Sequence, residues 1–221
     1  MDIVLIADPR VLAINIEENH DQMINLIKQN DIAYGPSPEI PNNYDYTKMR
    51  VSVYDMLKKA QALLPLGLNF CLYECYRSLA LQKMLFDNRF TLIEQQYPHW
   101  SLEEIFNETT KLISPVTNLD GSTNVPPHST GGAIDVYLLD DKGNAVDMGI
   151  HPKDWMEDDG SYSLTDSLMI SDQARHYRNV MSNALSNVGF INYPTEYWHW
   201  SYGDRYWAYH TNEANAIFGS Y

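Results

Sequence analysis

Between Ser52 and Leu64 the apolar residues Val53, Leu57, Ala60 and Leu64 recur at helical spacing, and Pro65 and Gly67 end the run. A second such stripe, Tyr177, Met181, Ala184 and Val188, follows a potential Ser171 cap and stops at Gly189, a residue suited to the C′ position. Ser78 reads as the N-cap of a helix through "LALQKMLFDNRFTLIEQQ". "SLEE" at 101–104 is a capping box that predicts a further helix to about Ile113. "HDQMINLIKQN" (20–30) predicts a short helix. Three segments read instead as strands: "LNFCLYECY" (68–76), "AIDVYLL" (133–139), and "FINYPTEYWHWSYG", whose aromatics alternate with polar residues as in one final strand. The segments 35–43, 114–127 and 150–170 read as loops. Strands and helices do not alternate as βαβ units, and no internal repeat is present. The pattern therefore predicts an α+β fold with a central antiparallel sheet flanked by helices.

Composition narrows the class. At 221 residues, 44% hydrophobic and 20% charged, the chain can bury a core as a single domain spanning 1–221, with 1–45 as an N-terminal extension packing on it. A formal charge of −14 disfavours nucleic acid and anionic membrane as partners. The start, "MDIVLIADPRVLAIN", carries Asp2, lacks a basic stretch and turns polar at Asp8. It does not read as a secretory signal, and no run of apolar residues is long enough to span a bilayer. Cys71 and Cys75 are too few for a disulfide framework and too close along one strand to bridge easily, so both are expected reduced and buried. These features together lead us to expect a cytoplasmic protein.

The chemistry concentrates in two stretches. In "VPPHSTGGAID", His128 and Asp135 are seven apart and would face opposite ways on a regular strand. Gly131 and Gly132 break that regularity, so His128 can sit on a loop that folds back beside Asp135. Taken alone, the stretch also fits a solvated surface turn. In "EYWHW", Glu196 and His199 are three apart, and a bend after Pro194 would put Glu196 at the start of the strand. His199 lies among aromatics, and a partly desolvated imidazole wants partners for both ring nitrogens. Two imidazoles and one carboxylate suit zinc held by three protein groups with the fourth position open. Glu196 next to such a site could take a proton from water.

At this point "HSTGGAID" resembles the H-x(6)-D element, and "EYWH" the E-x-x-H element, of the D-alanyl-D-alanine dipeptidases. These are zinc peptidases sharing a fold with D,D-carboxypeptidases and the Hedgehog signalling domain. "YECYRS" resembles the strand-end "YR" of the family, and "VDMG" (146–149) and "WHWSYGDRYWAY" follow in its order, so the likeness covers roughly residues 45 to 210. The resemblance implies one zinc per chain on His128, Asp135 and His199, Glu196 as base, and Arg77 as stabiliser of the tetrahedral intermediate. It also implies a small D,D-dipeptide substrate whose amino group is met by an acidic residue of the 150–170 loop, for which Asp154 is the candidate. Pro126 stands where the family often has Ser, and Ser78 where it often has Pro.

Other histidines compete weakly. His151 is the rival ligand, in a loop with Asp147 and Asp154, while the acidic run "MEDDG" (156–160) reads as a solvated edge. Two further functions share the fold that the resemblance implies. One is a D,D- or L,D-carboxypeptidase acting on longer wall peptides, disfavoured by the absence of an export signal. The other is a non-catalytic zinc-stabilised binding module, which would need neither Glu196 nor Arg77.

Overall fold

A five-stranded sheet organises the chain in this computed structural model, which describes residues 3–158 and 160–221. Asp2, from the N-terminal reading, and Asp159, from the acidic 156–160 run, lie outside the described residues. In chain order the strands are β1 (Met23–Asn25), β2 (Ala33–Tyr34), β3 (Lys48–Arg50), β4 (Asn69–Glu74), β5 (Ile134–Leu139), β6 (Ile191–Tyr193) and β7 (Glu196–Ser201). The helices are α1 (Pro9–Leu12), α2 (Val51–Gln61), α3 (Leu79–Gln96), α4 (Leu102–Thr109), α5 (Asp172–Ser186) and α6 (Arg205–Thr211). The main sheet runs β2-β4-β5-β7-β6, antiparallel throughout except for the parallel edge pair β2–β4, and β1 with β3 forms a separate two-stranded ribbon. The fold is α+β, as the chain pattern predicts.

Strand alternation separates core from chemistry. Phe70 and Leu72 of β4 pair across from Leu138 and Val136 of β5, and these side chains join Val53, Leu57 and Ala60 of α2 and Met181, Ala184 and Leu185 of α5 in the main core. Asp135, lying between Ile134 and Val136, is turned to the opposite face. The caps expected from sequence are in place: Ser78, Ser101 and Ser171 each accept a backbone N–H in the first turn, and Ser101 with Glu104 closes a full capping box. Both cysteines are free and buried.

Two predicted elements differ. Residues 20–30 form strand β1 and a 3-10 turn at Leu26–Lys28 instead of a helix. An eleven-residue helix has little stability of its own, and here the backbone pairs with β3 while Asn25 caps the turn at the Ile27 N–H. The aromatic segment 190–203 is two strands rather than one. Pro194 and Thr195 turn the chain, so that Tyr193 pairs with Glu196 in a hairpin. Residues before 45 also enter the main sheet directly, through β2.

The two glycines of the 125–135 stretch have separate uses. Gly131 has φ 72° and ends the 3-10 turn Pro127–Thr130 in the left-handed conformation, a position unfavourable for other residues. Gly132 lies against the Tyr202 carbonyl and the Phe218 ring with no room for a Cβ. Gly132→Ala is therefore expected to lower stability by ~1–3 kcal/mol, the usual range for forced overpacking. A urea unfolding midpoint equal to that of the parent would show that this close approach is not required.

Candidate active site

Asp135 and His199 are direct cross-strand partners on β5 and β7, which turns their side chains to one face at short range. Glu74 of β4 pairs with Asp135 on the other side, so three functional groups form a row across three strands. An irregularity between Leu72 and Glu74 sets that row's register. His128 arrives from the 3-10 turn Pro127–Thr130, tied to the end of β4: its carbonyl accepts the Arg77 N–H at 3.2 Å. His128 Nδ1 lies 2.8 Å from the Cys75 carbonyl oxygen, which can only accept, so Nδ1 carries the proton and Nε2 is left bare toward the site.

The three side chains converge closely. His128 Nε2 is 3.4 Å from Asp135 Oδ2, His199 Nδ1 is 3.1 Å from Asp135 Oδ1, and the two ring nitrogens are 3.1 Å apart. All three residues are buried, and their donor atoms lie within 4.8 Å of one another. Asp135 Oδ1 is buried and accepts no hydrogen bond, since its contact with His199 is poorly directed. A bare imidazole nitrogen facing an orphaned carboxylate oxygen, out of water, is an arrangement that a divalent cation completes. Two imidazoles, a carboxylate and a retained open side match the donor set of a hydrolytic zinc centre.

Charge in this pocket is strongly perturbed. Burial raises the Asp135 carboxyl, but the two imidazoles beside it, His128 foremost, outweigh burial and hold it well below the usual range. Burial depresses His128, yet Asp135 more than compensates and leaves it raised, whereas burial keeps His199 low. Glu196 starts β7, with Oε2 3.8 Å from His199 Nδ1, so the bend at Pro194 aims it at the triad. Burial and the Asp135 charge push its carboxyl well above the ordinary range, with Arg77 opposing. A cation on the triad would act in the same sense as Arg77 and favour the carboxylate.

Arg77 is almost fully buried and held in a fork. Its Nε donates to Glu74 Oε1 at 3.0 Å, its Nη2 donates to Glu74 Oε2, and its Nη1 donates to Gln82 Oε1 at 3.1 Å. Gln82 is fixed in turn by donating to the Ser114 carbonyl at 2.7 Å. Three of the five guanidinium N–H groups are thus occupied, and two remain for the cleft. The cleft is about 560 Å³, and His128, Asp135, His199, Glu196, Arg77 and Trp198 are among its lining residues.

Asp154 does not border this cleft, although Pro152 and Trp155 on either side of it do. His151 stands apart from the triad: its ring packs 4.5 Å from that of Tyr137, and its Nδ1 accepts the Lys153 N–H at 3.1 Å. An adjoining recess shares Tyr73 and Trp155 with the cleft and is lined also by Glu39 and Lys153. Burial raises the Glu39 carboxyl, with the nearby Glu74 adding to the effect. Sequence reasoning missed Glu74, Gln82 and Glu39. Glu74 alone had a visible signal, an acid three residues before Arg77 at the end of the apolar run Phe70–Tyr73.

Converged imidazole, carboxylate and guanidinium groups thus line one cleft, a donor set that suits a divalent metal. The family model described as D-ala-D-ala dipeptidase, Peptidase M15, matches residues 48–216, and the chain belongs to that family. A D-alanyl-D-alanine dipeptidase of Synechocystis sp. is 29% identical over 159 residues, which is 64% of this chain and 62% of that protein. The match thus spans less than two thirds of the relative's length. Among solved structures, the LdcB LD-carboxypeptidase has a TM-score of 0.44 at 16% identity, covering 91% of this chain and 76% of its own. VanYB in complex with D-alanine-D-alanine has a TM-score of 0.42 at 15% identity, covering 92% of this chain and 93% of its own. A mutant of the D,D-pentapeptidase VanY, in complex with Zn(II), has a TM-score of 0.40 at 13% identity, covering 91% and 93%. Among the described residues, no helix is long and apolar enough to cross a membrane.

Removing one partner of a buried ion pair leaves the other charge uncompensated, at a cost of ~3–5 kcal/mol. Glu74→Ala is accordingly expected to lower stability by about that amount, and Glu74→Gln, which retains an acceptor for Arg77, by less. An unchanged urea midpoint in both would mean that Arg77 is not anchored by Glu74.

Proposed function

We propose that this chain is a zinc-dependent D-alanyl-D-alanine dipeptidase, with His128, Asp135 and His199 holding one zinc, Glu196 as the base and Arg77 at the carbonyl oxygen. The observation that carries the reading is the buried, convergent donor set with the Glu196 carboxyl directly beside it. Zinc bound there supplies a Lewis acid that polarises the scissile carbonyl and lowers the pKa of water. Glu196 takes the proton of the attacking water and returns it to the leaving amine, a shuttle suited to a carboxyl whose environment shifts it toward neutrality. Arg77 uses its two remaining N–H groups to stabilise the negative charge that develops on the carbonyl oxygen. Glu74 and Gln82 hold the guanidinium in place, so little reorganisation is needed when that charge appears.

Recognition of a free dipeptide requires an acidic group for the ammonium, and Asp154 takes that role in this reading. The 3-10 turn Pro152–Asp154 would move over the cleft to bring it there, as Trp155 already lines the opening. One observation favours a second reading. The recess past Tyr73 and Trp155 offers space beyond the dipeptide, which suits a D,D- or L,D-carboxypeptidase acting on longer peptides.

Three measurements test the proposal. Metal analysis after dialysis should find one zinc in the parent chain and much less in the His128→Ala, Asp135→Ala and His199→Ala variants. Full occupancy in all three would remove the site. Glu196→Ala should keep zinc and fold but lose turnover by ~10²–10⁴-fold, and normal turnover would place the base elsewhere. Finally, free D-Ala-D-Ala should be hydrolysed, while its N-acetyl and N-extended forms should be poor substrates, because they leave the acidic group unpaired. Equal kcat/KM for the free, acetylated and extended forms would shift the assignment to the carboxypeptidase reading.

A further inference from the structure

We propose that Arg50, with Glu18 and residues 217–221, forms a clamp that fixes the turn carrying His128 and thereby sets the metal affinity of the site. The inference rests on the metal site argued above and concerns residues to which that reading gives no part. Two of the three donors, Asp135 and His199, stand on paired strands, whereas His128 stands on the 3-10 turn Pro127–Thr130. A donor on a turn is placed less closely than one on a strand unless its backbone is held from outside. Here four successive carbonyls are held. The His128 oxygen accepts the Arg77 N–H at 3.2 Å, the Ser129 oxygen the Tyr221 N–H at 2.9 Å, and the Gly131 oxygen the Arg50 N–H at 3.0 Å. The Thr130 oxygen accepts Arg50 Nε–H at 2.8 Å, so one residue ties two of the four.

Arg50 is arranged for holding the chain and not for meeting a ligand. It ends β3, is only 3% exposed, and spends all five guanidinium N–H groups inside the protein. Besides the Nε bond, Nη1 donates to Glu18 Oε1 at 3.1 Å and to the Asp21 carbonyl at 2.7 Å. Nη2 donates to Glu18 Oε2 at 3.0 Å and to the Gly219 carbonyl at 3.2 Å. The same Glu18 oxygen accepts the Gly219 N–H at 2.6 Å, so this carboxylate joins Arg50 to the 217–221 segment. The Phe218 and Tyr221 rings lie 4.9 and 5.5 Å from the guanidinium carbon, within reach of a cation–π contact. The Tyr221 carbonyl accepts the Tyr76 hydroxyl at 3.1 Å, one residue before Arg77. The clamp therefore reaches from the chain beyond β4 to the His128 turn. Arg50, Glu18 and Tyr221 do not border the cleft, and they are positioning residues.

The test uses the full chain. Arg50→Lys keeps the charge but cannot reproduce the fork of donors. Tyr221→Pro removes the N–H that Ser129 accepts, while Tyr221→Ala keeps that N–H and removes the ring. Tyr221 is exposed, so its variants carry the test even where Arg50→Lys does not fold. Met181→Ala, a buried change in α5, controls for destabilisation alone. Zinc affinity is measured by chelator competition on folded protein, and amide hydrogen exchange at residues 129–132 is read on the metal-free chain. We expect Arg50→Lys and Tyr221→Pro to lose about tenfold in zinc affinity, with faster exchange at 129–132. Tyr221→Ala should lose less, and Met181→Ala should keep the parental zinc affinity. Parental affinity in either Arg50→Lys or Tyr221→Pro would overturn the clamp, as would unchanged exchange at 129–132. An equal loss in Met181→Ala would reduce the effect to general destabilisation and overturn it too. Tyr221→Ala as weak as Tyr221→Pro would overturn the part given to the Tyr221 N–H. A parent that binds no zinc would overturn both the clamp and the metal site. Tight binding by the parent with unaffected variants would remove the clamp alone.

Discussion

The pairing register of β5 against β7 is the constraint on which the rest of the site depends. Asp135 sits opposite His199 because Ile134 sits opposite Trp200, and the apolar partners are buried on the core side. Since strand side chains alternate, a slip of one residue would send Asp135 into the core between β5 and α2 and bring Ile134 to the cleft. Burial of Ile134, Val136 and Leu138 therefore secures the position of the carboxylate as a by-product of ordinary core formation. The chemistry needs no separate device to hold Asp135 in place.

Around that row the buried charges are arranged so that each is met from behind. Glu74 and Gln82 grip Arg77, the Cys75 carbonyl grips His128, and Asn192 donates to the backbone oxygens of both Glu196 and His199. Such supports matter because a buried ionic group without partners is destabilising by several kcal/mol, on the order of ~3–5. Within the triad Asp135 Oδ1 is left without a hydrogen bond, at the place where a cation would bind, and Glu196 Oε2 lies 3.8 Å from His199 Nδ1.

Where local signals were strong, the fold could be read before any contact was known. The Ser78, Ser101 and Ser171 caps begin their helices as expected, because capping is decided within four residues. Residues 20–30 went the other way, since a marginal helix yields to an available strand partner, β3. The hairpin within 190–203 was read as one strand because alternating aromatics continue across the Pro194–Thr195 turn. His128, Asp135, Glu196 and His199 were legible as candidates, and they do meet. Asp154 was legible by the same resemblance, yet it lies off the cleft wall.

By itself the sequence determined the alternation that divides core from cleft, the helix starts, the reduced cysteines, and the residue types able to bind a metal. These depend on neighbours a few positions apart along the chain. The tertiary structure alone decided which nitrogen of His128 faces the site and which groups hold Arg77. Ring orientation depends on the acceptor found across the fold: Cys75 is 53 residues from His128. Likewise Gln82, which holds Arg77, is itself held by the Ser114 carbonyl, 32 residues away. Hydrogen bonds are directional and short, so a partner brought in from so far along the chain leaves no periodic trace in the sequence.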